Sequence, residues 1–397
     1  MNNRLNEPII KSLIDSDLYK FTMQYAVCKL FPTIKVKYKF IDRNNTVYPE
    51  GFDIQMKKQI EFMKYLHLTK REKYFMQEKL GSFLPNFYLD FLEGYQYDPS
   101  EVNVWLDDER HLHIEIEGFM YRNILWEVPL LALVSELFYI MTDQIVDIYD
   151  DSLMKKDLLK CQKMTDYNAY FSDFGTRRRF SYENQKHVVE LFKKSGSPVF
   201  VGTSNIYLAY LLDTKAIGTH AHEWFMLHAA LYGYKLANKL ALESWVKVYN
   251  GSLGTALTDT YTTDNFLSIF DSYYARLFDG VRQDSGNEFE FTDKFQKHYE
   301  SLKIDPLSKT VIFSNALTVD KAVDIKEYCK NRIRSSFGIG TFLTNDVGVK
   351  PTNIVIKLSQ VFINGIWVDT VKLSDDLGKN TGVSEEVNLC KTILKIK

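Results

Sequence analysis

Short apolar runs and polar tips alternate through the middle of this chain. From about residue 140 onward, helical spacing gives way repeatedly to a brief apolar strand. Each strand runs into a polar, glycine-containing or charged tip. Seven such tips occur. They are Phe171-Ser-Asp-Phe-Gly-Thr-Arg177, Phe200-Val-Gly-Thr-Ser-Asn205, Ala216-Ile-Gly-Thr-His-Ala-His222 and Thr255-Ala-Leu-Thr-Asp-Thr-Tyr261, then Gly280-Val-Arg-Gln-Asp-Ser-Gly286, Val311-Ile-Phe-Ser-Asn-Ala316 and Ser335-Ser-Phe-Gly-Ile-Gly-Thr341. Strands alternating with helices predict parallel β-α units. Seven in series predict an α/β fold with an irregular, TIM-like barrel, closed or nearly closed. In such a barrel the strands' C-terminal ends share one mouth, so the tips are expected to converge there.

The flanking regions have other patterns. Asp15 to Leu30 has helical spacing, with Ser16 or Asp17 as its cap. Ile34 to Ile41 alternates apolar and basic residues, the pattern of a half-exposed strand. Residues 54–95 predict several amphipathic helices with turns near Gly81 and Pro85, and Val102–Leu106 and Leu112–Glu117 predict two strands. Beyond the barrel, Thr352–Leu358 and Gln360–Trp367 predict a hairpin turning at Asn364-Gly365. The expected division is an N-terminal α+β domain over 1–140, the barrel over 141–350, and a hairpin and tail over 351–397 that is free to pack on the first domain.

Composition narrows the class. A chain of 397 residues suits a large barrel or two domains. The net charge of −2 argues against nucleic-acid or anionic-membrane partners. Four cysteines, Cys28, Cys161, Cys329 and Cys390, form no CxxC and read as buried thiols in a reducing compartment. The start, Met1 to Asn6, lacks an apolar signal run, which makes a cytoplasmic location the expectation. Val128–Ile140 is apolar but interrupted by Pro129, Ser135 and Glu136, and is expected to be too short for a bilayer span.

The tips carry the chemistry. Arg177, Arg178, Arg179 and Arg282 accompany Asp173, Asp259 and Asp284, with His222 and Glu223 nearby. Arginines bind phosphate or carboxylate, and glycine- and hydroxyl-rich nests bind phosphate. The mouth therefore looks built for a polyanion. Asp259 and Asp284 would hold Mg²⁺ or stabilise a cationic sugar, or they would merely cap helices. The arginine run is either a solvated face or sends at least one side chain into the mouth. His111 and His113 share one face of a strand, where a solvated polar surface accounts for them better than a metal site. His187, His228 and His298 fall on helical stretches and read as structural. Gly218-Thr-His-Ala-His-Glu-Trp224 leaves its histidines open as nucleophile, proton shuttle, metal ligand or packed residue.

Five motifs in order carry a resemblance. Asp17-Leu-Tyr-Lys20, Asp173-Phe-Gly-Thr-Arg-Arg-Arg179, Val201-Gly-Thr-Ser-Asn205, Gly218-Thr-His-Ala-His-Glu-Trp224 and Val281-Arg-Gln-Asp-Ser-Gly286 resemble nicotinate phosphoribosyltransferase, in its bacterial and yeast-type branch. The resemblance implies synthesis of nicotinate mononucleotide and diphosphate from nicotinate and 5-phosphoribosyl 1-diphosphate, the first step of NAD salvage from nicotinate. It implies an ATP-dependent ligase with Mg²⁺, coupled through a phosphohistidine. The implied fold is a type II phosphoribosyltransferase barrel. The implied assembly is often a homodimer, with one subunit's N-terminal domain closing the other's site.

Residue by residue, the resemblance makes His222 the phosphoryl acceptor with Glu223 as its orienting neighbour. Tyr19 and Phe174 would sandwich the pyridine. Arg177 and Arg282 would meet the base carboxylate and the phosphates, and Asp284 the ribose or Mg²⁺. Thr203, Ser204, Ser314 and Asn315 would bind substrate. Gly338 and Gly340 would form the 5-phosphate loop. Nicotinamide-using relatives tend to carry an acid where this chain has Ser204, so nicotinate is the expected base. His220 departs from relatives with Gln or another polar residue there. Two rival classes remain: a non-catalytic nucleotide-binding barrel, and a zinc-dependent TIM-barrel hydrolase using His220 and His222.

Overall fold

The computed structural model describes residues 3–376 and 379–396. Met1 and Asn2 of the start, Leu377 and Gly378 of the expected tail, and Lys397 lie outside the described residues. Two sheets organise the rest. The antiparallel sheet uses β1 (Lys35–Asp42), β2 (Val102–Leu106), β3 (Leu112–Phe119), β11 (Ile354–Ile363) and β12 (Ile366–Asp369). The parallel sheet uses β4 (Phe171–Asp173), β5 (Phe200–Thr203), β6 (Lys215–Ala216), β7 (Thr255–Leu257), β8 (Gly280–Gln283), β9 (Thr310–Phe313) and β10 (Arg334–Ile339).

The parallel strands run β6-β5-β4-β10-β9-β8-β7. The first strand in sequence thus pairs with the last, Phe171 opposite Phe337. The sheet curls into a half-barrel whose free edges are β6 and β7. The expected seven strands are present, but the ring has an open seam rather than full closure. β6 is only two residues long and pairs with β5 alone, too short to extend a ladder toward β7.

The C-terminal hairpin forms one side of the antiparallel sheet, whose order is β12-β11-β1-β3-β2 with β1 in the middle. β11 pairs with β1 from Lys35 opposite Phe362 to Asp42 opposite Ile354, and turns into β12 at Asn364-Gly365. On β1 the alternation is as expected: Val36 and Tyr38 are buried, while Lys37 and Lys39 face Glu117 and Glu115.

The apolar stretch after β3 is longer than the expected Val128–Ile140. Met120–Met141 is 22 residues with a mean hydropathy of 1.7, long and apolar enough to cross a membrane, yet 78% of its apolar window is buried inside the protein. It is a core helix packed beneath the antiparallel sheet. Pro129 falls in the first turn of its Glu127–Met141 part, where a missing N–H costs nothing.

The first long helix begins at Leu18 rather than Asp15. Its N-terminal end is tied to the β5 tip: Leu18 N–H donates to the Ser204 carbonyl at 2.8 Å, and Ile206 N–H to the Ser16 carbonyl at 3.0 Å. The Leu18–Leu30 helix therefore lies across the mouth of its own chain's half-barrel.

Candidate active site

One cleft lies between the strand tips and the Leu18–Leu30 helix. Tyr19 and Arg177 contribute to both of its halves, as does Arg282. One half adds Phe174, Asp17 and Ser204; the other adds His222, Glu223, Asp284 and Lys357. Tyr19, on the Leu18–Leu30 helix, lines the cleft of its own chain. Its hydroxyl is buried and has no hydrogen-bond partner among the described residues.

Phe174 follows β4, and its ring rests on Gly338. A Cβ at Gly338 would stand 2.3 Å from the Phe174 ring, so only glycine leaves room for the aromatic wall. This corrects the expected loop. Gly338 lies inside β10, paired with Ser172, and serves the ring. Gly340 does stand at the turn, just ahead of the four-residue Thr341–Thr344 helix. The Arg282 guanidinium lies 5.9 Å from the Phe174 ring centroid. A planar anion between Tyr19 and Phe174 would find Arg177 and Arg282 within the same walls.

The arginine run is not a solvated face. Arg177 lines the cleft, 3.5 Å from Glu127. Arg178 donates to the Ile354 carbonyl at 3.0 Å. Arg179 is buried and grips Asp15 through two hydrogen bonds of 2.7 and 2.9 Å. Asp173 organises the β4 tip: it accepts from Gly175 N–H, Gln185 and Thr203. Burial pushes its carboxyl up to about 6. Thr203, expected to bind substrate, is therefore corrected to a buried support of that carboxylate.

Ser204 does line the cleft, but its hydroxyl donates to Asp17 at 2.7 Å. A carboxylate thus stands at the wall that the sequence left uncharged. Burial raises the Asp17 pKa, and Arg177 opposes that rise. Asp17 went unrecognised because it precedes a helix, the ordinary place for a cap, yet it makes no side-chain cap bond.

His222 opens the His222–Tyr232 helix. Its Nδ1 lies 3.1 Å from the Thr260 hydroxyl, and its Nε2 lies 3.1 Å from Asp284 and 3.8 Å from Asp259. Burial and Lys372 push it down to about 4 against the pull of the two aspartates, so the imidazole is neutral at pH 7. Asp284 also receives Arg282 at 2.9 Å and the Ser314 hydroxyl at 2.8 Å. Asn315, the next residue, is half-buried at the exit of β9.

Glu223 is not the residue that orients His222. It meets Lys20, which also holds Glu127 in a buried ion pair. Neighbours on a helix point about 100° apart, so Glu223 turns toward the Leu18–Leu30 helix while His222 faces β7 and β8.

The helix-capping alternative for the aspartates is also resolved: Thr262 and Asn287 cap the helices after β7 and β8. Among the described residues, His222, Asp259 and Asp284 form the one trio able to hold a metal, with ligand atoms within 4.8 Å of one another. One oxygen of Asp259 is buried without a partner, which fits a cation there. His220 is outside the trio, because its Nε2 accepts the Leu257 N–H at 3.2 Å. His113 is held instead by Asp107 at 2.8 Å.

Two lysines were missed. Lys372 stands 3.6 Å from Asp259, and Lys357 on β11 lines the cleft. Burial and Lys372 push Lys357 down to about 7. Both come from the C-terminal segment, which carries no strand-tip signal.

Known proteins match this chain along nearly its full length. The nicotinate phosphoribosyltransferase (NAPRTase) family matches residues 169–397, and that family's N-terminal domain matches residues 14–135. The nicotinate phosphoribosyltransferase of Desulforapulum autotrophicum is 46% identical over 98% of this chain and 99% of its own. That of Chromohalobacter salexigens is also 46% identical, over 98% and 99%. Among solved structures, the nicotinate phosphoribosyltransferase of Porphyromonas gingivalis superposes with a TM-score of 0.95 at 45% identity, covering 98% of this chain and 100% of that one. A putative nicotinate phosphoribosyltransferase of Saccharomyces cerevisiae gives 0.92 at 34% identity, covering 98% and 99%.

Proposed function

The chain belongs to the nicotinate phosphoribosyltransferase family, and on that premise we propose how its cleft works: nicotinate and 5-phosphoribosyl 1-diphosphate become nicotinate mononucleotide and diphosphate, with ATP hydrolysis coupled through a phosphorylated His222. The observation that carries the coupling is the arrangement of one cleft. A neutral buried His222 stands on one wall, and the Tyr19–Phe174 pair with its arginines on the other.

Nicotinate stacks between Tyr19 and Phe174, and Arg177 and Arg282 neutralise its carboxylate. The pyridine nitrogen needs no general base, because its lone pair is free. That pair forms the bond to the anomeric carbon as the bond to the diphosphate oxygen breaks. Positive charge builds on the sugar, and Asp284 and Asp259 stabilise it. The same two carboxylates with His222 would hold Mg²⁺, which prefers oxygen donors. Mg²⁺ would supply charge neutralisation to the diphosphate. The oxygen-rich donor set and the absence of His220 from it favour Mg²⁺ over a zinc-hydrolase reading.

For coupling, a ring nitrogen of His222 attacks the terminal phosphorus of ATP, and ADP leaves. Water later cleaves the phosphorus–nitrogen bond, restoring neutral His222 and releasing phosphate. The Thr260 hydroxyl can donate to Nδ1 or accept from it, so it serves either tautomer. An ATP-dependent ligase, a homodimer and a cytoplasmic setting belong to the same reading. The four free thiols are consistent with a reducing compartment.

The test is labelling by [γ-³²P]ATP together with a substrate comparison. The wild type is expected to form an acid-labile phosphoprotein and to prefer nicotinate over nicotinamide and quinolinate. His222→Ala should lose the label and the ATP stimulation while keeping slow base transfer. Full ATP stimulation in His222→Ala would overturn the coupling.

A further inference from the structure

We propose that His220 is a positioning residue: its ring is the rung that closes the open seam of the half-barrel and sets where His222 stands. The effect on His222 rests on the phosphohistidine reading above; the rung itself rests on geometry alone.

β7 is a free edge. It pairs with β8 on one side and, among the described residues, with no strand on the other. An edge N–H buried without a partner is costly. Leu257 is 1% exposed, so its N–H cannot turn to water. The imidazole of His220 accepts it at 3.2 Å. The ring is 1% exposed and is wedged between Trp245, at 4.7 Å and 71°, and Phe225, at 5.4 Å. Its rotamer is thereby locked. Trp245 in turn donates to the Leu253 carbonyl at 3.3 Å, just ahead of β7.

The chain leaves β6 at Ile217, whose N–H still reaches the Thr203 carbonyl at 2.9 Å. It then crosses the seam. Two contacts pin the crossing segment to β7 and its exit. His220 meets Leu257, and His222 meets Thr260 at 3.1 Å. From the other side, Thr22 donates to the Thr219 carbonyl. Gly218 packs so close to the Leu18–Leu30 helix that a Cβ there would lie 2.9 Å from the Tyr19 nitrogen. The segment is clamped between helix and strand, and His220 supplies the strand side.

This makes His220 a determinant of reactivity without contact with substrate. Misplacing a reacting group by about 1 Å can cost about 100-fold in rate. Tyr19 and Phe174 are held by other elements, so stacking of the base does not depend on the rung.

The test compares His220→Leu with His220→Gln. Glutamine offers a carboxamide oxygen to the same N–H; leucine offers none. Two readouts apply: hydrogen exchange of the peptide containing Leu257, and the rate of His222 labelling by [γ-³²P]ATP. In His220→Leu the Leu257 amide should lose protection, and labelling should fall about 100-fold while the KM for nicotinate stays near wild type. His220→Gln should restore both to within a few-fold. Wild-type labelling or wild-type protection in a folded His220→Leu overturns the proposal. If His220→Leu does not fold, His220→Gln decides: retained Leu257 protection supports the rung and lost protection refutes it. An unlabelled wild type would instead sink the phosphohistidine reading, and the exchange arm would still judge the rung.

Discussion

Nε2 of His222 lies 3.1 Å from Oδ2 of Asp284, across 62 positions of sequence. The other oxygen of that carboxylate receives Arg282 at 2.9 Å and Ser314 at 2.8 Å. Burial works to raise the Asp284 pKa, but Arg282 and His222 hold it well below the usual carboxylate range. A fixed anion therefore faces a neutral imidazole. That pairing would stabilise positive charge on His222, as the proposed phosphoryl transfer requires.

Asp284→Asn tests this. It keeps the shape and removes the charge. The ATP-stimulated kcat should fall on the order of 100-fold or more, with a smaller change in the KM for nicotinate, since Tyr19, Phe174 and Arg177 are untouched. Steady-state rates with and without ATP give the answer, and an unchanged kcat would refute the role.

The strand tips were legible because each is a local event: an apolar run, then glycine, hydroxyl or charge. What brings them together was not local. β6 is two residues long, too short to leave a period, so the open seam had no signature. The pairing of β11 with β1 joins the two ends of the chain and brings Lys357 to the cleft without any motif around it. Asp17 and Ser204 meet through a fold-back that no spacing records. Glu223 was misjudged for the opposite reason. It is next to His222 in sequence, but on a helix consecutive side chains diverge.

Three buried histidines should each contribute a loss of stability as pH drops from about 6.5 toward 4. Burial pushes His220 down to about 3, and His222 and His228 down to about 4. An unfolded chain takes up these protons near 6.5; the folded protein resists until about 4. The contribution is thus complete above 6.5 and is lost below it, at about 1.4 kcal/mol per pH unit for each histidine. Glu136 and Asp173, raised to about 7 and about 6, oppose this by binding protons early in the folded state. His228 makes no contact in the cleft, so His228→Phe should lower the slope by about one proton. Urea midpoints across this range in both proteins provide the check, and identical slopes would count against it.

Gly338→Ala should damage base binding more than folding. The added methyl would meet the Phe174 ring at 2.3 Å, within the strand β10 and opposite Ser172. A paired strand moves less readily than a side chain, so the ring must swing into the cleft. The KM for nicotinate should rise about 10-fold or more, the equivalent of about 1.4 kcal/mol or more, with the melting temperature little changed. An unaltered KM would mean that Phe174 is not the second face of the pyridine site.

Lys20 and Glu223 separate structure from chemistry on the other wall. Lys20 is fully buried and serves two carboxylates, Glu127 and Glu223. Burial lowers its pKa, and the two carboxylates more than restore it. Lys20→Met leaves Glu223 buried without a cation and Glu127 with Arg177 alone, which should cost about 3–5 kcal/mol. Glu223→Gln should cost much less, because Glu127 still neutralises Lys20 and one surplus charge is gone. In the double variant one carboxylate remains rather than two, so the losses should fail to add by about 1–3 kcal/mol, measured by chemical denaturation. His222 is held by Thr260 and Asp284, so Glu223→Gln should still label from [γ-³²P]ATP. A folded Glu223→Gln that no longer labels would return Glu223 to the chemistry of its neighbour.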